Sequence, residues 1–298
     1  MLVEPSKTTG RADAEMLEIV QHLVLSSPPG EFDEVWYDAQ ILVPKLISPQ
    51  ILAGIARAYN HENLSVAKTA DGLRVLLHKA AEISPTRYVD YTTRTTFRVD
   101  HVLRSAVTVK ETLIPTMHDV MRHAIDDAAR SYVMTTFDVD ARPSAAVHVN
   151  IGRAELVIAM SGERANLSNF WSGNWRSEWT EQWQLLGDGE AIVSGTVKVR
   201  AHYFEDGNVQ LQTTKAFHPA CIFFETPRML GTVIIEQVRT AESALQCGLE
   251  RMYDNVSVKT AKAMRRVLPI THVKMNWNIH ELSLNRSFSL SKNAQQER

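Results

Sequence analysis

The first residues to test for chemistry are a histidine and two acids next to a predicted β-hairpin turn. His202, Glu205 and Asp206 lie close together in the sequence, and such a group could hold a metal ion or exchange protons. We favour the simpler interpretation, a strand histidine beside an acidic turn. Neither Cys221 nor Cys247 has a neighbouring base that would make it a nucleophile.

The sequence lacks the short motifs of phosphate-binding loops, dinucleotide-binding folds, serine hydrolases and zinc proteases. His118 and His123 are five residues apart, so they do not share a helical face closely enough to act as a pair of metal ligands. We therefore predict a protein that is not an enzyme, with no catalytic residue, no cofactor and no metal site.

Four tryptophans recur at intervals of four residues. An even spacing places them on one face of a β-strand. An exposed row of this kind could stack sugars or bases, whereas a buried row would form part of the core. We favour the core for this row, which consists of Trp171, Trp175, Trp179 and Trp183.

The charge distribution is uneven along the chain. From Ser257 to Arg298 there are eight basic and two acidic residues, whereas the whole chain has 32 basic and 34 acidic residues. A C-terminal segment with a net charge of +6 therefore follows a body with a net charge of −8. This asymmetry indicates an acidic partner, although a solvated basic tail would look the same. Lys259, Lys262 and Arg266 would share one face of a helix.

The chain has 298 residues, of which 44% are hydrophobic, and this is enough for one large or two small domains. No apolar run reaches the ~18 residues that a membrane span needs. The first residues lack the apolar stretch of a signal peptide, and the two cysteines make no disulfide framework. We expect an intracellular protein in a reducing compartment.

Hydrophobic periodicity predicts the elements that position these residues. Three helices are predicted in the first 60 residues, and only a few short strands and turns between Leu64 and Lys110. Thr116 could cap a further helix. From Ser144 to Phe217 strands dominate, and Asp206-Gly207 supplies the turn of the clearest hairpin. Strands without crossover helices imply an antiparallel sheet that helices cover on one face.

A long helix is predicted after Pro227. Its apolar stripe has helical spacing, and only Pro269 would end it, after ~40 residues or ~60 Å. Such a helix is too long for one compact domain, so we expect its stripe to continue onto a second chain. The stripe consists of Leu230, Ile234, Val238, Ala241, Leu245, Leu249, Met252 and Val256.

Several segments together resemble the α subunit of F-actin capping protein. They are the turn PPGEF (28–32), the block NFWSGNWRSEW (169–179), the hairpin HYFEDGNVQL (202–211), and KAMRRVLPIT (262–271) followed by Trp277-Asn278. The resemblance is dense from Asn169 onward and thin between Leu64 and Pro143.

The resemblance implies an α+β fold. Its parts would be an N-terminal three-helix stalk (1–60), a small β-turn region (61–115), a helix with a five-stranded antiparallel sheet (116–225), one long covering helix (226–268) and a mobile amphipathic C-terminal extension (269–298). It also implies pairing with a capping protein β subunit into a ten-stranded sheet, although self-pairing stays open. Such a heterodimer caps the barbed end of actin filaments in the cytoplasm, independently of calcium, and blocks subunit addition and loss.

The resemblance also implies where actin is bound. The basic contacts carried over by position include His272, where relatives usually have arginine; a largely neutral imidazole would weaken that contact at pH 7. Apolar anchors follow in the extension, and anionic phosphoinositides could compete for the same bases. The implied actin-binding residues are Lys262, Arg266, His272, Lys274, Trp277, Leu284 and Phe288.

An alternative function stays open from the residues alone. The chain could be a protein-interaction or polyanion-binding module that acts through its basic C-terminal segment. The acidic body and the absence of a nucleic-acid motif argue against nucleic acid as the partner.

Overall fold

The computed structural model describes residues 11–43, 47–111, 119–150, 153–182, 189–205 and 209–255. Within these ranges the chain has the predicted α+β architecture, with five helices and two sheets. The helices are α1 (Arg11–Leu25), α2 (Phe32–Leu42), α3 (Pro49–Asn63), α4 (Asp119–Thr136) and α5 (Pro227–Asn255). The strands are β1 (Val66–Thr69), β2 (Arg74–Leu76), β3 (Glu82–Ser84), β4 (Arg87–Asp90), β5 (Thr95–Asp100), β6 (Ser105–Glu111), β7 (Ser144–Asn150), β8 (Glu155–Asn166), β9 (Trp171–Gln182), β10 (Glu190–Tyr203) and β11 (Val209–Phe223).

Helices α1 to α3 form a helical stalk with its own core, as predicted. Phe32 is fully buried between Trp36 of its own helix and Tyr59 of α3, and the rings of Phe32 and Tyr59 are 4.5 Å apart. The loop between α1 and α2 turns at Gly30, which has a φ of 81°. A Cβ at Gly30 would lie 2.5 Å from the Cβ of Ala165 in β8, so glycine is needed for this close approach.

The region that was predicted as a few short strands and turns is a six-stranded sheet, which we call the small sheet. Its strand order is β2-β1-β6-β5-β4-β3, and β1 runs parallel to β6. Leu77, Tyr88 and Phe97 are fully buried in the core on one of its faces. The prediction missed this sheet because most of its strands are too short to show a clear alternation of apolar and polar residues.

The five strands from β7 to β11 form an antiparallel sheet in sequential order, which we call the main sheet. Helix α4 packs against β7 and β8. A Cβ at Gly231 would lie 2.1 Å from the carbonyl oxygen of Ala124, so the long helix α5 crosses α4 closely at this glycine. The predicted cap of α4 at Thr116 lies outside the described residues, and α4 begins at Asp119.

The helix-covered face of the main sheet, which we call the apolar face, holds the core. Trp179 is 2% exposed and stacks on Phe217 with 5.1 Å between ring centroids, which confirms the core interpretation for this tryptophan. Trp171 and Trp175 lie on the same face and are half-buried, while Trp183 lies outside the described residues. Leu156, Ile158, Met160, Val193 and Val197 are buried beside them.

Candidate interaction surfaces

Strand β11 is an open edge of the main sheet. It lies at the end of the strand order, and β10 is its one hydrogen-bonded neighbour within the described ranges. Most of its residues are exposed, including Val209 and Phe223 at its two ends, which are 59% and 68% exposed. A long edge with unpaired backbone groups is a template for another strand, so this edge is a candidate partner interface.

A bulge divides β11 into two parts. The register with β10 shifts between Val193 and Gly195, so that His218 and Pro219 together lie opposite a single residue of β10. Proline has no N–H, so it cannot donate a backbone hydrogen bond to a neighbouring strand on either side. The stretch Val209–Phe217 pairs with β10 without a shift and is the part of the edge best suited to regular pairing with a further strand.

Helix α5 carries the predicted apolar stripe. Leu230, Ile234 and Val238 are fully buried, as the spacing predicted. The chain divides between Thr240 and Ala241, within α5, into two compact units. The helix is described to Asn255, a length of 29 residues or about 44 Å. The predicted continuation to Pro269 lies outside the described residues.

All seven predicted actin-binding residues also lie outside the described residues. They are Lys262, Arg266, His272, Lys274, Trp277, Leu284 and Phe288. Their assignment therefore remains a prediction.

The opposite face of the main sheet, which we call the polar face, is buried against the stalk. His202 is 7% exposed, and its Nδ1 lies 2.7 Å from Oε1 of Glu31 in the loop before α2. Glu31 is thus a partner of this histidine from a distant part of the chain. No group of three or more potential metal ligands is found among the described residues.

Two arginines of the polar face also reach the stalk. Arg200 donates to the carbonyl oxygen of Ser26 at 2.9 Å and to the side-chain oxygen of Asn63 at 3.4 Å. Arg176 donates to the carbonyl oxygen of Glu62. Burial lowers the pKa of Arg176 to about 10, so the side chain stays charged at neutral pH. These buried cations are stabilised by carbonyl oxygens, and they fix the stalk against the sheet.

A further contact joins the polar face to the small-sheet region. Nε2 of His78 lies 2.9 Å from Oε2 of Glu178, while Nδ1 of the same ring accepts a hydrogen bond from the N–H of Ala80. The hydrogen bond from His78 lowers the pKa of Glu178. No local sequence pattern predicts these contacts, because the paired residues are 100 or more positions apart in the chain.

Comparison with known proteins identifies this architecture. The family model described as F-actin capping protein alpha subunit matches residues 20–287. The chain belongs to that family. It is 29% identical over 269 residues to the F-actin-capping protein subunit alpha of Dictyostelium discoideum, a match that covers 89% of this chain and 94% of the relative. The corresponding subunit of Caenorhabditis elegans is 27% identical over 284 residues, which are 90% of this chain and 94% of the relative.

A solved structure shares the capping protein fold. The homodimeric actin capping protein alpha subunit from Plasmodium berghei matches with a TM-score of 0.71 and 22% sequence identity, covering 87% of this chain and 98% of that chain. The family match also extends through most of the predicted actin-binding segment, since it includes Lys262 and Leu284 and ends one residue before Phe288. No helix within the described ranges has the length and hydropathy needed to cross a bilayer.

Proposed function

We propose that this chain is the alpha subunit of a complex that caps the barbed end of actin filaments. Bound there, the complex blocks both addition and loss of actin subunits, and it does so independently of calcium. The observation that carries the proposal is the family match over residues 20–287. The role is binding rather than catalysis, needs no cofactor, and belongs to the actin cytoskeleton of the cytoplasm.

The partner that we propose is a capping protein beta subunit, paired along the free edge of β11. The unshifted stretch Val209–Phe217 would continue the main sheet into a second five-stranded sheet. The end of the apolar stripe of α5, where Met252 is exposed, supports the same pairing. A second copy of this chain is the alternative partner, and the homodimeric state of the Plasmodium berghei protein is the reason to test it.

The proposed actin contact lies in the C-terminal segment. Lys262, Arg266, His272 and Lys274 would attract the acidic filament end and speed association. Trp277, Leu284 and Phe288 would then fill an apolar cleft on actin and slow dissociation, as an amphipathic helix does in a groove. Anionic phosphoinositides would compete for the same basic residues.

Seeded elongation of actin filaments tests this function. The chain, co-expressed with a candidate beta subunit, should stop barbed-end growth at substoichiometric concentration, equally with calcium and with a chelator. The mass of the purified complex separates a heterodimer from a homodimer. Binding along filament sides, or to polyanions in general, would instead favour the alternative of a general interaction module.

A charge-reversal pair tests the location of the contact. Lys262→Glu with Arg266→Glu should slow association with barbed ends at least tenfold at low salt, because attraction becomes repulsion. Lys292→Glu with Arg298→Glu changes the net charge equally within the same segment and is the control. Equal capping by the two double variants would show that the contact lies elsewhere.

A further inference from the structure

A cavity of about 450 Å³ lies where the stalk, the small sheet and the main sheet meet. Its volume is within the range of sites that bind small molecules. The stalk contributes the Gly30 turn, and β8 of the main sheet contributes a further wall. The polar side chains that matter for binding are Ser65, Lys68, Arg74, Arg142, Ser161 and Glu163.

Three cationic side chains line this cavity and are themselves exposed. Lys68 and Arg74 are directly opposite each other on β1 and β2. The guanidinium of Arg74 donates to the carbonyl oxygen of Arg142 at 2.7 Å, which brings the two arginines together. None of the three has an ion pair with another described residue. Like charges directly opposite each other in a sheet repel, and an anion between them would relieve that repulsion.

Among the described residues, the acidic side chains of the cavity form no ion pair with these three cations. Asp33 lies 2.6 Å from the guanidinium of Arg104, and Asp140 lies 3.5 Å from that of Arg164. Burial raises the pKa of Glu163, although the nearby charges of Arg104 and Arg142 oppose this shift. Two of the three carboxylates are thus already paired with other cations.

Hydroxyl groups add uncharged donors to the same cavity. The side chains of Ser65 and Ser161 line it. Arginine forks, an ammonium group and hydroxyls together form the donor set that recognises phosphate oxygens. The three cations carry more positive charge than the roughly two negative charges of one phosphate group.

We propose that this cavity binds a soluble small molecule carrying two or more phosphate groups. Such a ligand would contact Lys68 and Arg74 of the small sheet, Arg142 of the turn before β7 and Ser161 of the main sheet at once. It would therefore tie these parts of the fold together. The proposal rests on the described cavity alone and does not depend on actin binding.

Calorimetric titration of the full-length chain in its dimeric complex tests the proposal, with pyrophosphate and inositol hexakisphosphate as probes. The double variant Lys68→Gln with Arg142→Asn should bind at least tenfold more weakly. Asparagine suits position 142 because the residue has a φ of 47°, which asparagine tolerates. The control is Arg87→Gln with Arg98→Gln, which removes two opposed cations of the small sheet outside the cavity and should change affinity less than twofold.

A second measurement needs no variant. Pyrophosphate should slow amide hydrogen exchange in the Gly30 turn and around Arg142 of the wild-type complex, and leave β11 unchanged. Equal loss of affinity in both double variants would overturn the proposal, because it would show general charge attraction. Binding restricted to vesicles with phosphorylated lipid headgroups would overturn it as well, as would no binding of either soluble probe.

Discussion

On the apolar face of the main sheet, Trp179 packs over Gly195, where an added Cβ would lie 2.3 Å from the indole ring. On the polar face of the same strands, Arg176 and Arg200 are almost as deeply buried, at 3% and 8% exposed. Close packing of apolar groups stabilises the first face, and hydrogen bonds to the stalk stabilise the second. A strand can therefore bury both of its faces while only one of them shows an apolar pattern.

The largest expected effect comes from removing the ring at the centre of the apolar face. Trp179→Ala should lower the free energy of unfolding by about 3–5 kcal/mol, because the cavity that it leaves between β8 and β10 is too large to close. Chemical denaturation followed by far-UV circular dichroism measures this. Trp171→Ala, at a half-buried position on the same face, is the control, and an equal loss there would contradict the special role of Trp179.

A buried carboxyl group is the exception on the apolar face. Glu181 is 1% exposed and lies between Leu156 and Val193, and its Oε2 has no hydrogen-bond partner among the described residues. Burial raises its pKa to about 7 from the ordinary value of 4.5. At pH values between the ordinary pKa and the raised one, the unfolded chain releases this proton while the folded chain keeps it. The free energy of unfolding therefore falls as pH rises, and the whole loss of stability is present above pH 7.

Glu181→Gln should remove this loss of stability at high pH, because glutamine has no proton to release. At pH 8 the variant should be more stable than the wild type by up to about 3 kcal/mol, since each pKa unit corresponds to about 1.4 kcal/mol. At pH 4 the two proteins should differ little. Denaturation curves from pH 4 to 8 measure the difference, and a gain that does not depend on pH would contradict the proposed ionisation.

A smaller effect is expected on the polar face. Glu31→Ala removes the hydrogen bond between Glu31 and His202 and should cost about 1–3 kcal/mol. It should also raise amide hydrogen exchange in α1 and α2 more than in the main sheet, because the contact joins the stalk to β10. Lys198→Ala is the control, since the Lys198 pair with Glu62 is largely exposed and should contribute less than about 1 kcal/mol. If Glu31→Ala increased amide hydrogen exchange equally in the stalk and in the main sheet, a local role for Glu31 would be contradicted.

The comparison of the two faces also explains what could be predicted from the sequence. The β10–β11 hairpin and the buried positions Leu230, Ile234 and Val238 follow from periodicity within one element. The small sheet does not, because most of its strands are too short to show a period and its β1–β6 pair joins distant segments, with Lys68 opposite Ser105. The His202–Glu31 contact does not either, because its residues are 171 positions apart. The actin-binding residues were assigned from the family resemblance. A resemblance matches positions in the sequence but does not show which atoms those residues contact.

The contact between His202 and Glu31 spans 171 positions and has a consequence for biosynthesis. The three N-terminal helices leave the ribosome long before β9 and β10, so the stalk cannot complete its contacts with the sheet until synthesis has passed Tyr203. During that interval the loop carrying Glu31 and the carbonyl groups of Ser26 and Glu62 are solvated by water instead of paired with the sheet. Docking of the stalk is then a late folding step that closes a very long loop, and such steps are slow.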